Sequence, residues 1–373
     1  MLIGIDASRT TIARRTGTEA YSLELTRALL ALTTEHRWRL YFNQAPARNT
    51  WPHRPGVEQR VMPFSRLWTH LRLSLEMFEA PPDVLFVPAH VLPLVRPRHS
   101  VVTVHDLGYH HFPDAHTRSA LAYLKLSTRM NARWATLILA DSEATRNDLM
   151  RIYRTPAEKI RVVYPGRNEG LQRVVDRDRI GAVAGSLGIG GDYILYLGTL
   201  QPRKNLVRLV EAFGEMLAAW NEDVPPPTLV LAGKKGWLSG DIFRSVERLD
   251  LSKHVLFPGY VPDEDLPALL SGARVFAFPS LYEGFGFPVL EAMACDVPVV
   301  CADSSSLPEA AGDAALRVDP LDTEALAEAL HRALTNESLR SQLIQAGRQQ
   351  IQQFSWQKSA RQTLEVLEEA AAR

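Results

Sequence analysis

The stretch Ala277-Phe278-Pro279-Ser280-Leu281-Tyr282-Glu283-Gly284-Phe285-Gly286-Phe287-Pro288-Val289-Leu290-Glu291-Ala292-Met293-Ala294 passes from an apolar run through a glycine-spaced loop into a helical pattern. An apolar strand that turns directly into a helix is the repeating unit of a parallel α/β sheet, and such sheets take their ligands at the carboxyl ends of their strands. Pro288 suits the first helical turn, where its missing N–H is not needed. Gly284 and Gly286 let the backbone come close to a ligand, and the free amides of Gly286 and Phe287 suit an anion. Glu283 sits on the loop and Glu291 falls in the first turn of the helix, so two carboxylates point at one place from two elements. Taken singly, each acid reads as an ordinary surface or helix-start glutamate.

The same alternation extends outward in both directions. Toward the N-terminus, apolar runs at Leu2 to Ile5, Trp38 to Phe42, Val84 to Val87, Val101 to Val104 and Leu137 to Ala140 alternate with helical patterns at Ala20 to Leu32, Leu67 to Glu79 and Glu143 to Tyr153. Asp141-Ser142 reads as the cap of the last of these. After the turn at Pro165-Gly166 and a polar hinge region around Arg173 to Arg179, strands recur at Tyr193 to Leu197, Thr228 to Ala232, Val255 to Phe257, Val275 to Pro279, Val297 to Cys301 and Ala315 to Val318. The chain therefore reads as two doubly wound α/β domains, and 373 residues suit that number. The expected boundaries are 1–168 for the first domain, completed by a C-terminal helix over 355–373, and 169–354 for the second.

Composition removes several function classes. Forty-two basic residues balance forty-two acidic ones, so no overall field holds the chain on nucleic acid or an anionic membrane. The two cysteines, Cys295 and Cys301, have neither metal-ligand spacing nor the pattern of a secreted disulfide framework. Met1 to Asp6 reads as a buried first strand and lacks the basic flank and long apolar region of a signal peptide. A cytoplasmic protein is expected, with at most peripheral contact at the inner face of a membrane. The helix from Leu67 to Phe78 could present an apolar face for that, although packing on the first sheet explains it more simply.

Four further features lie at predicted strand ends. Tyr196-Leu197-Gly198-Thr199-Leu200-Gln201-Pro202-Arg203-Lys204-Asn205 brings two cations to a helix start, where they could neutralise a diphosphate. Val101 to Val104 runs into His105-Asp106. The loop from Arg9 to Ala20 carries Arg14-Arg15-Thr16-Gly17-Thr18 before a helix. Phe257-Pro258-Gly259-Tyr260-Val261-Pro262 closes another strand. His110 and His111 follow His105, but no further histidine, cysteine or HExxH pattern completes a zinc set.

The run from Glu283 to Glu291 resembles the E-x7-E signature of retaining glycosyltransferase family 4, matching in both acids, both glycines and the proline. The flanking motifs resemble that family in order along nearly the whole chain, and the His105-Asp106 segment is similar to its bacterial mannosyltransferase-like members. The resemblance implies the GT-B fold, two Rossmann-like domains facing across a cleft, and transfer of a hexose from a nucleotide diphosphate sugar to a glycan, lipid-linked or small-molecule hydroxyl. GDP-mannose is favoured as donor, with a UDP-sugar as the other choice. No essential metal or other cofactor is implied.

The resemblance also distributes roles. It makes His105 and Glu283 the catalytic residues beside the transferred sugar, with Gly284 and Phe285 binding that sugar. Gly17, Arg203, Lys204, Gly286 and Phe287 fall to the donor phosphates, and Tyr260, Val261 and Glu291 to the nucleoside. Asp106 and Thr18 lie on the acceptor side. Many members carry an arginine just after the glycine of the Tyr196 strand, where this chain has Thr199, which leaves Arg203 as the cation to compensate. Two rival readings are a nucleotide-sugar 2-epimerase of the same fold and a non-catalytic nucleotide-sugar-binding protein.

Overall fold

The structure is a computed structural model that describes residues 1–12, 17–48, 50–52, 54–64, 66–89 and 91–373. The chain forms two compact units, one of Met1–Gly166 with Phe354–Arg373 and one of Arg167–Gln353. The Pro165-Gly166 turn, and not the polar stretch from Arg173 onward, is thus where the first unit ends. Arg177–Ser186 is already a helix of the second.

In the first unit, β1 (Leu2–Asp6), β2 (Arg37–Phe42), β3 (Val57–Val61), β4 (Val84–Val87), β5 (His99–Val104), β6 (Leu137–Ala140) and β7 (Ile160–Val162) form a parallel sheet in the order β3-β2-β1-β4-β5-β6-β7. The order reverses between β1 and β4, which pair from Ile3↔Val84 to Ile5↔Phe86. Such a reversal opens a crevice at the carboxyl ends of the strands. All four residues of β4 and all four of β6 are buried, as a sheet covered on both faces requires.

Alternate residues divide those strands between two cores. Ile3, Ile5, Leu40, Phe86, Leu137 and Leu139 face one side, and Tyr41, Leu85, Val87, Val102 and Ile138 the other. The first face is covered by α1 (Gly17–Ala31) and by the C-terminal helix (Trp356–Ala372), which contributes Trp356, Ala360, Val366 and Leu367. Ser355 caps that helix by accepting from the Lys358 amide, and Ser359 Oγ donates to the Tyr164 carbonyl at 2.6 Å. Where this helix begins it meets Gly166, at which a Cβ would lie 2.4 Å from the Trp356 amide nitrogen. Only glycine allows the two segments to touch there.

The opposite face carries a π-helical turn, Thr69–Leu73, running into α2 (Ser74–Glu79). Trp68, Leu73 and Met77 enter the core, as packing on the sheet predicts. Leu67, Leu71, Leu75 and Phe78 form a second row that stays exposed, Phe78 by 76%. His70 Nε2 lies 3.0 Å from the Tyr123 hydroxyl. That contact joins this segment to a helix the sequence reading did not assign, Arg118–Trp134, which carries Arg118, Lys125, Arg129 and Arg133 and no acid. Around the site, α3 (Gly108–His111), the Arg118–Trp134 helix (α4) and α5 (Glu143–Tyr153) follow β5 and β6.

The second unit repeats the plan. β8 (Tyr193–Leu197), β9 (Thr228–Ala232), β10 (Val255–Gly259), β11 (Val275–Phe278), β12 (Val299–Ala302) and β13 (Ala315–Val318) order as β10-β9-β8-β11-β12-β13, all parallel. Here the reversal lies between β8 and β11. With α6 (Arg177–Ser186) and α7 (Leu206–Ala218) leading, the helices that follow include α8 (Gly240–Arg248), α9 (Leu266–Gly272) and α10 (Phe287–Ala294). Cys295 and Cys301 are buried and unpaired.

Candidate active site

The β8/β11 reversal is where the second unit gathers its chemistry. After β8 the chain makes a short turn over Pro202–Lys204, and Asn205 takes a left-handed conformation with φ 60° before opening α7. The Asn205 side-chain amide donates to the carbonyls of Pro279 at 3.2 Å and Pro320 at 2.6 Å, tying this turn to the end of β11. Lys204 is thereby directed inward, with Nζ 2.5 Å from Glu283 Oε1 and 4.9 Å from the centre of the Phe278 ring. Arg203 Nη1 donates to Glu283 Oε2 at 3.0 Å and also to the Tyr282 carbonyl. A carboxylate with a cation on each oxygen is therefore buried at the carboxyl end of β11. Burial works against its charge, but Lys204 and Arg203 outweigh that and hold the Glu283 carboxyl below its ordinary value.

The loop that carries Glu283 is clamped by three serines from the segment after β12. Ser306 Oγ donates to the carbonyls of Glu283 and Phe285, both at 2.9 Å, and Ser305 Oγ accepts from the Glu283 amide at 2.9 Å. Ser304 Oγ donates to the carbonyls of Ser280 and Leu281. Gly286 then precedes α10 with φ 115° and ψ 42°, and a Cβ there would lie 2.8 Å from Leu307 Cδ2. Phe285 is buried, Gly284 and Phe287 are half-buried, and the Phe285 and Phe287 rings meet edge to face at 5.4 Å.

Glu291 lies one turn further into α10 than the sequence reading placed it, because the helix begins at Phe287 and its first turn holds no acid. It is half-buried, and burial together with the negative charge of Asp263 raises its carboxyl to about 7. Asp263 follows β10 closely, so Glu291 is in electrostatic reach of the segment holding Tyr260 and Val261. Val261 is buried, while Tyr260 is exposed with Lys234 Nζ 4.9 Å over its ring. At position 199 the threonine carbonyl accepts from the Tyr196 hydroxyl at 3.2 Å.

In the first unit, Val104↔Ala140 is the last paired step of β5 and β6, so His105 and Asp141 leave adjacent strands side by side. His105 Nδ1 lies 2.6 Å from Asp141 Oδ2. The cap of α5 is Ser142 alone, which accepts from the Thr145 amide, and Asp141 is directed to the histidine instead. The Asp106 carboxylate accepts from the Gly108 amide at 2.8 Å. His110 and His111 are engaged with Tyr153 and Asp148, and among the described residues no three histidine, cysteine or acidic side chains converge as a metal set.

Gly17 begins α1 and is exposed, with nothing within 4 Å of an added Cβ, so crowding does not require glycine there. The Thr18 carbonyl accepts from Ser22 Oγ. Arg14, Arg15 and Thr16 of the same loop lie outside the described residues.

Each set of strand-end groups thus assembles within its own unit. Lys204, Arg203 and Glu283 come together, Glu291 approaches the β10 segment, and His105 gains a partner that the sequence reading had assigned elsewhere. The residues missed were Asp141, Asn205 and Ser304 to Ser306. The three consecutive serines beyond a predicted strand were the one local signal.

Comparison with known proteins decides the family. Residues 15–170 match the model of Glycosyltransferase Family 4, and residues 187–350 match that of Glycosyl transferases group 1. The O-antigen chain mannosyltransferase B of Escherichia coli is 35% identical over 265 residues, spanning 71% of this chain and 69% of that protein. The chain belongs to glycosyltransferase family 4.

This glycosyltransferase also shares its fold with sucrose-phosphate synthase from Thermosynechococcus elongatus, with a TM-score of 0.74 at 21% identity over 100% of this chain and 99% of that one. HepE from Anabaena, in a complex with UDP-glucose, gives 0.72 at 18% identity, over 98% and 99%. The glycosyltransferase has the GT-B fold, with two Rossmann-like α/β domains in one chain.

Proposed function

We propose that this glycosyltransferase moves a hexose, with mannose favoured, from a nucleotide diphosphate sugar to a hydroxyl of a glycan, lipid-linked or small-molecule acceptor, with retention of configuration. The observation that carries this reading is the buried Glu283 carboxylate held by Lys204 and Arg203 at the carboxyl end of β11. An ionised carboxylate accepts hydrogen bonds from sugar hydroxyls, and two adjacent cations stabilise a departing diphosphate. The mannosyltransferase relative supports mannose, and the HepE complex supports a nucleotide sugar.

In this reading the second unit holds the donor. Glu283, Gly284 and Phe285 meet the sugar, and Arg203, Lys204, Gly286 and Phe287 the phosphates. Tyr260, Val261 and Glu291 meet the nucleoside. The family resemblance gives His105 a role at the sugar, Gly17 one at the phosphates, and Asp106 and Thr18 roles at the acceptor. The acceptor oxygen forms its bond to the anomeric carbon as the bond from that carbon to the diphosphate oxygen breaks, and the acceptor proton passes to the departing diphosphate. Lys204 and Arg203 supply the positive charge, so the step needs no metal.

The test is product formation with GDP-mannose against GDP-, UDP-, ADP- and TDP-sugars, followed with and without acceptor and with and without chelator. Transfer that needs acceptor, survives chelation and falls at least about a hundredfold in Glu283→Ala and Lys204→Ala supports the reading. Conversion of the donor sugar without acceptor, or near-normal turnover in either variant, overturns it.

No helix among the described residues is long and apolar enough to cross a membrane. The exposed row of Leu67, Leu71, Leu75 and Phe78, joined to a helix with four cations and no acid, supports peripheral docking on an anionic lipid surface.

A further inference from the structure

We infer that Asp141 is a positioning residue for transfer: it holds the His105 ring by Nδ1 and leaves Nε2 as the one ring nitrogen offered to substrate. The inference rests on the proposed role of His105 and adds a partner that the family motifs do not name.

Three observations carry it. The two side chains leave neighbouring strands one residue beyond the paired step Val104↔Ala140, so the backbone of the sheet itself sets their separation. Their contact, 2.6 Å from Nδ1 to Oδ2, lies among buried groups, with Asp141 only 3% exposed. His105 Nε2 and Asp141 Oδ1 are also buried, and neither has a well-formed hydrogen bond. A buried polar atom without a partner costs stability, and a catalytic role is one reason for a protein to keep it. With Nδ1 committed to Asp141 and only the weak pull of the Pro88 carbonyl to set against it, the ring has a defined direction for its remaining bond.

The surroundings fix the ring further. The Tyr21 ring from α1 stands edge-on to it, with centroids 4.7 Å apart and an interplanar angle of 82°. Thr145 Oγ1 of α5 donates to the His105 carbonyl at 3.1 Å, which steadies the backbone from which the ring projects. The charged and polar groups acting on the ring are Asp141 beside it, Asp106 next in the chain and, most weakly, the Pro88 carbonyl. Burial disfavours the imidazolium, but these groups, led by Asp141, outweigh it and hold His105 above its ordinary value. The ring therefore keeps a proton on Nδ1 for the carboxylate, and in its charged form it offers an Nε2 proton to a sugar hydroxyl.

Asp141→Asn keeps the shape of the side chain and removes its charge. The test compares Asp141→Asn, His105→Ala and the double variant with the parent protein, by donor KM, kcat, pH profile and the histidine proton NMR titration, with folding checked by thermal melting. If Asp141 acts through His105, Asp141→Asn lowers kcat on the order of tenfold or more with donor KM little changed. The His105 titration and the matching limb of the pH profile move to lower pH, and the double variant is no slower than His105→Ala.

A kcat and His105 titration unmoved in Asp141→Asn overturn the positioning role while His105 keeps its own. An equal loss when Asp141→Asn is added to His105→Ala overturns it as well, because Asp141 then acts independently. Full turnover in His105→Ala overturns the reading on which the inference rests, and that result is visible before Asp141 is altered.

Discussion

Removing either member of the Glu283 and Lys204 pair should destabilise the protein by more than the pair contributes as a whole. The ion pair is 2.5 Å long, and at an effective dielectric constant of ~20 two unit charges at that distance attract by about 7 kcal/mol. Removing two ions from water offsets most of that gain. Both side chains are about a tenth exposed, so whichever charge remains stays largely dry, Glu283 still with Arg203 beside it. Glu283→Gln leaves Lys204 and Arg203 beside a neutral amide and should cost about 3–5 kcal/mol, the range for breaking a buried pair, while Lys204→Met leaves Glu283 its Arg203 partner and should cost less. The double variant should cost less than the sum, with a coupling of about 2 kcal/mol, since it also removes the Lys204 charge that Glu283→Gln alone leaves beside a neutral amide.

Urea unfolding of the four proteins at neutral pH measures this directly. Single-variant costs that add to within about 0.5 kcal/mol would refute the reasoning, because additivity means the groups do not interact. The pH dependence adds a second check with a fixed sign. Glu283 is held below its ordinary 4.5, so its contribution is complete above that value and is lost as the pH falls through the lowered one. Glu283→Gln should therefore flatten the acid limb of the stability curve.

Glu291 behaves oppositely. Its carboxyl ordinarily titrates near 4.5 and is raised to about 7, so the wild type loses stability between those values as the pH rises, and Glu291→Gln should gain on the order of 2 kcal/mol over it in alkaline solution. If the carboxylate receives ribose hydroxyls, calorimetry should also show nucleotide affinity falling below pH about 7. Gly286→Ala combines a left-handed backbone with a contact at 2.8 Å to Leu307, and should cost about 1–3 kcal/mol in thermal melting while reducing turnover further. Replacing Leu71 and Phe78 together by glutamate should abolish co-sedimentation with anionic vesicles and leave transfer to a soluble acceptor intact. Unchanged sedimentation would count against that face.

The parts of the fold legible in the sequence were those buried on both faces. Runs such as Val84 to Val87 and Leu137 to Ala140 have one physical explanation, a strand between two layers of helix. β3 escaped because Val57-Glu58-Gln59-Arg60-Val61 is an edge strand whose polar residues meet solvent and Arg39, and β7 because three residues carry no period. In the site, Glu283, Lys204 and Arg203 stood out because each lies in a dense local motif. Asp141 did not, since its partner is 36 residues away and the adjacent Ser142 supplied a sufficient local reason for an acid at that place. The serine clamp was hidden for the same reason. Each of its bonds reaches more than twenty residues back, to a backbone whose need is invisible in composition.

The meeting of Gly166 with Trp356 has a bearing on how the protein is made. The first unit is interrupted by the whole of the second, and its core on one face of the sheet is closed only by residues that follow Phe354. A nascent chain can finish the later unit while the earlier one still displays bare apolar surface on α1 and β4 to β6, a surface that solvent tolerates poorly. Until the Trp356–Ala372 helix has been made, that face stays open, so the core of the first unit closes only after the whole of the second has been translated.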